Sequence, residues 1–126
     1  MTKPYALAKS ERLSSLTAVR RLFKDGASGF VYPFRYMLIT DKSTTPSVEV
    51  LFSVPKRYHK RANKRNTLRR RMKEAYRLNK ASLKASATQR GVDVDLALVY
   101  SAKELLSYKT IEHAICKILA EVSECR

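Results

Sequence analysis

Between residues 56 and 84 the chain carries 13 lysines and arginines and one acid, Glu74, a net charge of +12 in 29 residues. A fold cannot bury such a segment whole, because a charge taken out of water without a partner is strongly penalised. The segment can join a fold only as a two-sided element, apolar on one face and basic on the other. The remaining residues hold 13 bases and 10 acids, so most of the overall +15 is local. A run of four or five charges would be read as a solvated helix face. Twelve net charges held this closely repel one another and call for a polyanionic partner, with nucleic acid the first candidate.

The rest of the composition describes a scaffold. A hydrophobic content of 44%, with seven Tyr and four Phe, excludes a disordered basic tail. A length of 126 residues suits one domain, 1–126, which the charge run makes a nucleic-acid-binding one, with residues 1–11 a flexible arm. The longest apolar run, residues 96–100, is far short of a membrane span. No charged-then-apolar leader follows Met1, and Cys116 and Cys125 make no disulfide framework, so the chain is expected to be cytoplasmic.

Periodicity predicts six elements. A first helix begins near Ser14 or Ser15, with Leu16, Val19 and Phe23 at helical spacing, and stops at Gly26. Residues 30–40 form a strand with Phe34, Tyr36, Leu38 and Thr40 on one face, and Pro33 confines regular pairing to the residues after it. Residues 48–54 form a second strand, most simply its antiparallel neighbour. A loop over 55–63 leads to the basic helix, which runs from about 62–64 to 84, and 86–91 is another loop. Residues 94–100 make a strand buried on both faces. A last helix, 108–123, has Ile111, Ile115, Ile118 and Val122 as its stripe. The fold class is therefore α+β, a two-layer α/β sandwich in the order α-β-β-α-β-α.

At 100° per residue, Leu68, Met72, Ala75 and Leu83 share one side of the basic helix, with Tyr76 and Leu78 at the edges. Met72 and Tyr76 are core on this reading. Opposite them, Asn66, Arg70, Lys73 and Arg77 form a ridge that Lys80 and Lys84 extend and Arg69 flanks, while Arg65 lies nearer the apolar edge. Arginine suits phosphate because its planar fork donates two hydrogen bonds and keeps its charge. The helix N-terminus adds free N–H groups. Asn66 can bridge phosphate, 2′-OH or hydrated metal, or can serve as an N-cap or exposed amide. With no helix-turn-helix, zinc spacing or zipper, the surface suits the shape and backbone of structured RNA.

The run Phe52-Ser53-Val54-Pro55-Lys56-Arg57, followed by Lys64-Arg65-Asn66-Thr67-Leu68-Arg69-Arg70-Arg71-Met72-Lys73, resembles the bacterial ribonuclease P protein subunit family. Arg12, Leu13, Phe23, Gly26, Phe34, Tyr36 and residues 94–100 extend the resemblance over most of the chain. It departs from that pattern in a loop one residue longer, in Thr67 where a third arginine is usual, and in Val19 where Phe is common. The resemblance implies a left-handed β-α-β crossover, against the usual hand. It implies a subunit that assists a catalytic RNA in removing the 5′ leader from precursor tRNA, with Mg²⁺ bound mainly by the RNA. Ribonuclease P RNA and precursor tRNA are then the partners, with no protein partner required. By position, Arg65, Asn66, Arg69, Arg70 and Lys73 carry the RNA-contacting motif. Lys56, Arg57, Lys60, Arg61, Lys64 and Arg77 complete the expected RNA-binding set from the charge run. Phe23, Phe34 and Tyr36 are implied near a leader cleft between the first helix and the sheet, although by themselves Phe23 and Phe34 read as core.

No protein catalytic site is expected. His59 and His113 are the only histidines, and His113 with Cys116 makes too few ligands for zinc. Asp93 and Asp95 alternate along a strand and read as its entrance, with one pairing to a base, rather than as a metal pair. Neither a nucleophile–base arrangement nor a glycine-rich phosphate loop is present. The alternative function is that of a structural RNA-binding protein such as a ribosomal protein.

Overall fold

The structure, a computed structural model, describes residues 16–56 and 59–124. The N-terminal arm, the serine cap of the first helix and Arg57 lie outside the described residues. Eight elements succeed one another: α1 (Leu16–Asp25), β1 (Ala27–Val31), β2 (Phe34–Lys42), β3 (Val48–Ser53), α2 (Ala62–Asn79), α3 (Ala81–Arg90), β4 (Val92–Tyr100) and α4 (Tyr108–Glu124). The strands form one sheet ordered β1-β2-β4-β3.

β4 is the strand most enclosed by the fold. It pairs antiparallel with β2, from Phe34↔Tyr100 to Lys42↔Val92, and parallel with β3, from Val48↔Val94 to Ser53↔Val99. Val94, Leu96 and Leu98 on one face and Ala97 on the other are fully buried, as the continuous apolar run predicts. The pairing expected between residues 30–40 and 48–54 is overturned: β2 and β3 are separated by β4. Sequence neighbours favour a hairpin, but β4 offers β3 a buried apolar edge that no local pairing supplies.

Even-numbered residues of β2, β3 and β4 point to the larger core, where Phe34, Val50, Phe52, Leu68, Met72, Tyr76 and the α4 stripe meet. Ile111, Ile115, Ile118 and Val122 are all buried. Odd-numbered residues face α1, where Leu22 packs on Met37 and Ala97 with Ala18, Val19, Ile39, Leu51 and Val99 around them. The sheet and the α2, α3 and α4 layer thus form the α/β sandwich, and α1 lies on the other face.

Four expectations about elements need correction. Pro33 does not merely delay a strand: Tyr32 and Pro33 form the turn of a hairpin, so β1 is a separate strand paired to β2 from Ala27↔Leu38 to Val31↔Phe34. The basic helix does not continue to 84. It ends at Asn79, whose amide donates to the Ala75 carbonyl at 2.8 Å and to Glu112 at 3.3 Å. Residues 86–91 are not a loop but largely the end of α3, which places Leu83 and Ala87 in the core and closes on Gly91 at φ 64°. That left-handed cap is open to glycine at little cost. In α1 the packed residue is Leu22, whereas Phe23 stays 47% exposed.

Candidate nucleic-acid interface

α2 is held to the sheet by its apolar side. Leu68, Met72, Ala75 and Tyr76 are fully buried, and Tyr76 meets Phe52 edge-on with ring centroids 5.7 Å apart. The outer side carries exposed Asn66 and Arg70 and half-buried Lys73 and Arg77. Asn66 is not the N-cap. That position is Arg61, which offers no side-chain cap; within the first turn the Asn63 side chain accepts from the Lys64 amide at 2.9 Å instead. Lys56, Lys60, Arg61 and Lys64 are exposed around that end.

The ridge is not uniform. Arg77 donates two hydrogen bonds to Glu74, which offsets part of its charge. Arg69 and Lys73 turn toward β3 and line a groove of about 360 Å³ beside Val50, Phe52 and Val54. Arg65 is half-buried, with its Nε shielded from solvent and unpaired. Lys80, expected to extend the ridge, is buried at the junction of α2 and α3; only Lys84 is exposed. Arg71 points elsewhere and donates to the Leu106 carbonyl at 2.6 Å.

The loop entering α2 is pinned by a residue whose type gave no hint of burial. His59 is 5% exposed, lies 5.5 Å from the Tyr100 ring and places Nε2 2.8 Å from the Ala102 carbonyl. A carbonyl only accepts, so Nε2 carries the proton. Tyr100 in turn donates to the Glu104 carbonyl at 2.5 Å and accepts from the Leu106 amide at 3.2 Å. Residues 102–106 therefore clasp both the basic loop and, through Arg71, the middle of α2.

On the other face of the sheet, α1 leaves an open cleft of about 670 Å³. Phe23 and Gly26 form one wall, with Ser28, Phe30, Arg35, Met37, Val99 and Ser101 along the sheet. Phe23 therefore stands where the resemblance implied. Phe34 and Tyr36 do not. Phe34 is fully buried in the larger core against Tyr100, with centroids 5.7 Å apart, and the Tyr36 ring lies over Gly29 on that same face, its hydroxyl donating to Glu121 at 2.9 Å. Strand alternation puts both away from α1. Phe30 and Arg35, register partners across the β1–β2 hairpin, take their place. The signal available in the sequence was Pro33, read as a turn rather than an interruption.

The far end of this same face is acidic. Arg21 clamps Asp41 with two contacts of 2.8 Å, which holds the Asp41 carboxyl below its ordinary range. Asp93 accepts from the Ser47 amide and hydroxyl at 3.0 and 3.2 Å, not from a base. Burial, then the charges of Asp41 and Asp93 against a partial offset from Arg21, pushes Asp95 up; burial, then Asp95 and Asp93, does the same for Glu49. Among the described residues no three His, Cys, Asp or Glu side chains gather to hold a metal.

This geometry can be compared with known proteins. The sequence model of the family described as Ribonuclease P matches residues 7–123. The chain belongs to the ribonuclease P protein family. A ribonuclease P protein component from Porphyromonas gingivalis is 35% identical over 127 residues, covering 98% of this chain and 92% of the relative. One from Chlorobium phaeobacteroides is 29% identical over 128 residues, covering 93% and 88%. Among solved structures, the Staphylococcus aureus RNase P protein superposes with a TM-score of 0.67 at 18% identity, over 92% of this chain and 97% of that one. The Thermotoga maritima protein superposes at 0.68 and 21% identity, over 88% and 96%; these two show the fold alone. As a family member, the chain is a subunit of a ribonucleoprotein endoribonuclease of tRNA processing, and ribonuclease P RNA is its partner. The ribosomal-protein alternative falls with that membership.

Two stability predictions arise from the side chains around the interface. Replacing His59 with Ala strands the Ala102 carbonyl and removes the ring from Tyr100, so urea unfolding should show a loss of about 1–3 kcal/mol. An unchanged midpoint would mean the loop is not held there. A carboxyl raised in the folded state favours folding when protonated and loses that benefit as pH rises through its folded value. Asp95→Asn should therefore raise Tm slightly at pH 7, the gain fading as pH falls through the carboxylate range. A pH-independent gain would show that charge is not its cause.

Proposed function

We propose that the two faces of the fold hold two RNAs. The outer side of α2 and its entry loop, with Lys56, Arg57, Lys60, Arg61, Lys64, Arg65, Asn66, Arg69, Arg70, Lys73 and Arg77, binds phosphates of ribonuclease P RNA. The α1–sheet cleft holds the 5′ leader of precursor tRNA. The observation that carries this reading is the separation of chemistry: a ridge of arginine and lysine on α2, and exposed Phe23 and Phe30 beside Arg35 across the sheet. Rings of this kind stack on unpaired bases, and a guanidinium can take the intervening phosphate. Of the three cleft residues implied by the resemblance, only Phe23 enters this proposal.

The chain's contribution is electrostatic and positional. Cations on α2 offset the repulsion between two polyanions that must lie close together, and the cleft fixes the strand leading to the scissile bond. Mg²⁺ fits the RNA better than this chain, whose described residues gather no set of ligands for it. Held by the RNA, it would supply Lewis-acid assistance to phosphodiester hydrolysis, with no ligand assigned to this chain. The RNAs it serves place the chain's work in the cytoplasm, and no helix among the described residues is long and apolar enough to cross a membrane.

Added to ribonuclease P RNA at low Mg²⁺, the chain should stimulate leader removal; an unstimulated rate would refute the assignment. Arg70→Ala and Lys73→Ala should each weaken RNA binding and flatten its log–log salt dependence by about one unit or less. Arg77→Ala should do less, because Glu74 already engages that guanidinium. Unaltered slopes in the first two variants would place the ridge in solvent. In the cleft, Phe23→Ala should lower affinity for precursor tRNA by about fivefold or more while sparing mature tRNA. Equal losses on both substrates would exclude leader contact.

A further inference from the structure

A second groove, also of about 670 Å³, opens beside the first. One wall is the outer edge of β1 and its turn, with Phe30, Val31 and Tyr32; the other is the exposed side of α4. Phe30 lines both cavities, so the α1–sheet cleft and the β1–α4 groove meet at one side chain. The family resemblance assigns no residue here.

The lining has the components that hold a single-stranded polyanion. Phe30 and Tyr32, two residues apart on the edge strand, are 59% and 54% exposed. Facing them, Lys109, His113 and Lys117 form an exposed row with successive side chains about 6 Å apart along the helix. Thr110 adds a hydroxyl between them. Two exposed carboxylates also stand here and keep their charge: Glu104 accepts from the Tyr32 hydroxyl at 2.9 Å, and Glu121, on the groove lining beyond Lys117, accepts from Tyr36, so the basic stretch of the groove is the part along Lys109 and Lys117. That first bond fixes the Tyr32 ring by its edge. A peptide strand is the poorer occupant, since β1 has only five residues and ends in a tight turn.

The charge on the sheet face sets which end of the cleft a polyanion occupies. Asp41, Asp93, Asp95 and Glu49 occupy one end of that face, and Arg35 with the aromatic rings occupies the other. An RNA strand in the cleft is repelled from the acidic end and drawn toward Arg35, which stands opposite Phe30 in the hairpin register. Its continuation leads over the β1 edge.

We propose that the groove between β1 and α4 is a second single-stranded RNA site, which receives the distal part of a leader too long for the α1–sheet cleft. Bases lie on Phe30 and Tyr32, and phosphates lie along Lys109 and Lys117. The proposal rests on the reading of the cleft as the leader site, and one experiment separates the two. The protein is assembled with ribonuclease P RNA, and its affinity is measured for mature tRNA and for precursor tRNAs whose leaders grow one nucleotide at a time. The wild type should gain affinity in two stages. The double variant Lys109→Gln, Lys117→Gln, both on an exposed helix surface, should keep the first stage and lose the second. Tyr32→Ala should weaken only long-leader substrates, by about fivefold or more.

If the double variant binds every leader as the wild type does, the groove is not an RNA site. If it weakens short leaders and mature tRNA equally, the groove serves another part of the RNA and the proposal is overturned. Arg35→Gln and Phe23→Ala report on the cleft through the short leaders. Should those two variants bind short leaders normally, the cleft reading fails and the groove proposal falls with it. Should they lose affinity while the lysine variant does not, only the groove proposal fails.

Discussion

β4 is hydrogen-bonded along both edges and packed on both faces, and the remaining structure is arranged around that enclosure. Because β3 runs parallel to β4, the chain must cross the sheet between them, and no tight turn can do so. α2 and α3 make the crossing. The most charged segment of the chain is thus obliged to lie on the core. Leu68, Met72, Ala75 and Tyr76 are what permit it, since their burial opposes the mutual repulsion of the charges outside. Removing that stripe would leave a helix with every reason to leave the sheet. The basic ridge is therefore a consequence of strand order as much as of composition.

The short segment after β4 does a second job. Residues 102–106 take a hydrogen bond from His59, two contacts through Tyr100 and one from Arg71, while Glu104 reaches Tyr32 in the β1–β2 turn. Hence the basic loop, the middle of α2 and the turn at the mouth of both cavities are tied to one stretch of backbone. Each of these bonds is modest singly, with a typical net value of ~1 kcal/mol. Together they restrict the relative positions of groups that a bound RNA would otherwise have to order, and ordering opposes binding.

Much of this was legible in the residues. The apolar stripe of α2, the stripe of α4 and the closed environment of β4 all come from periodicity, because each is a local pattern packed in full. What sequence did not reveal is non-local or unmarked. The parallel partnership of β3 and β4 joins residues 46 positions apart, beyond the reach of any turn signal. The break at Lys80 has neither glycine nor proline to announce it. His59 gave no sign of burial, since histidine in a basic loop reads as surface until Tyr100 and Ala102 are placed around it. Phe34, Tyr36, Leu38 and Thr40 were correctly grouped on one face, but alternation alone does not say which layer that face meets. The family resemblance put Phe34 and Tyr36 beside α1; α2 and α4 lie there instead.

The acidic band on the α1 face weakens the fold at neutral pH, because Asp95 and Glu49 are held in surroundings that favour their protonated forms. Arg21 relieves part of that repulsion through Asp41 and lends some attraction to Asp95. Yet the same band gives the cleft one end that repels a polyanion. At physiological ionic strength screening acts over ~8 Å, so a base or acid influences only its own part of the face. Two ends of one sheet can therefore differ in sign without cancelling, even in a chain of net charge +15. A uniformly basic cleft would attract a polyanion along its whole length, whereas this one favours the Arg35 end over the Asp95 end. The unfavourable placement of Asp95 and Glu49 and the charge asymmetry of the cleft have the same origin.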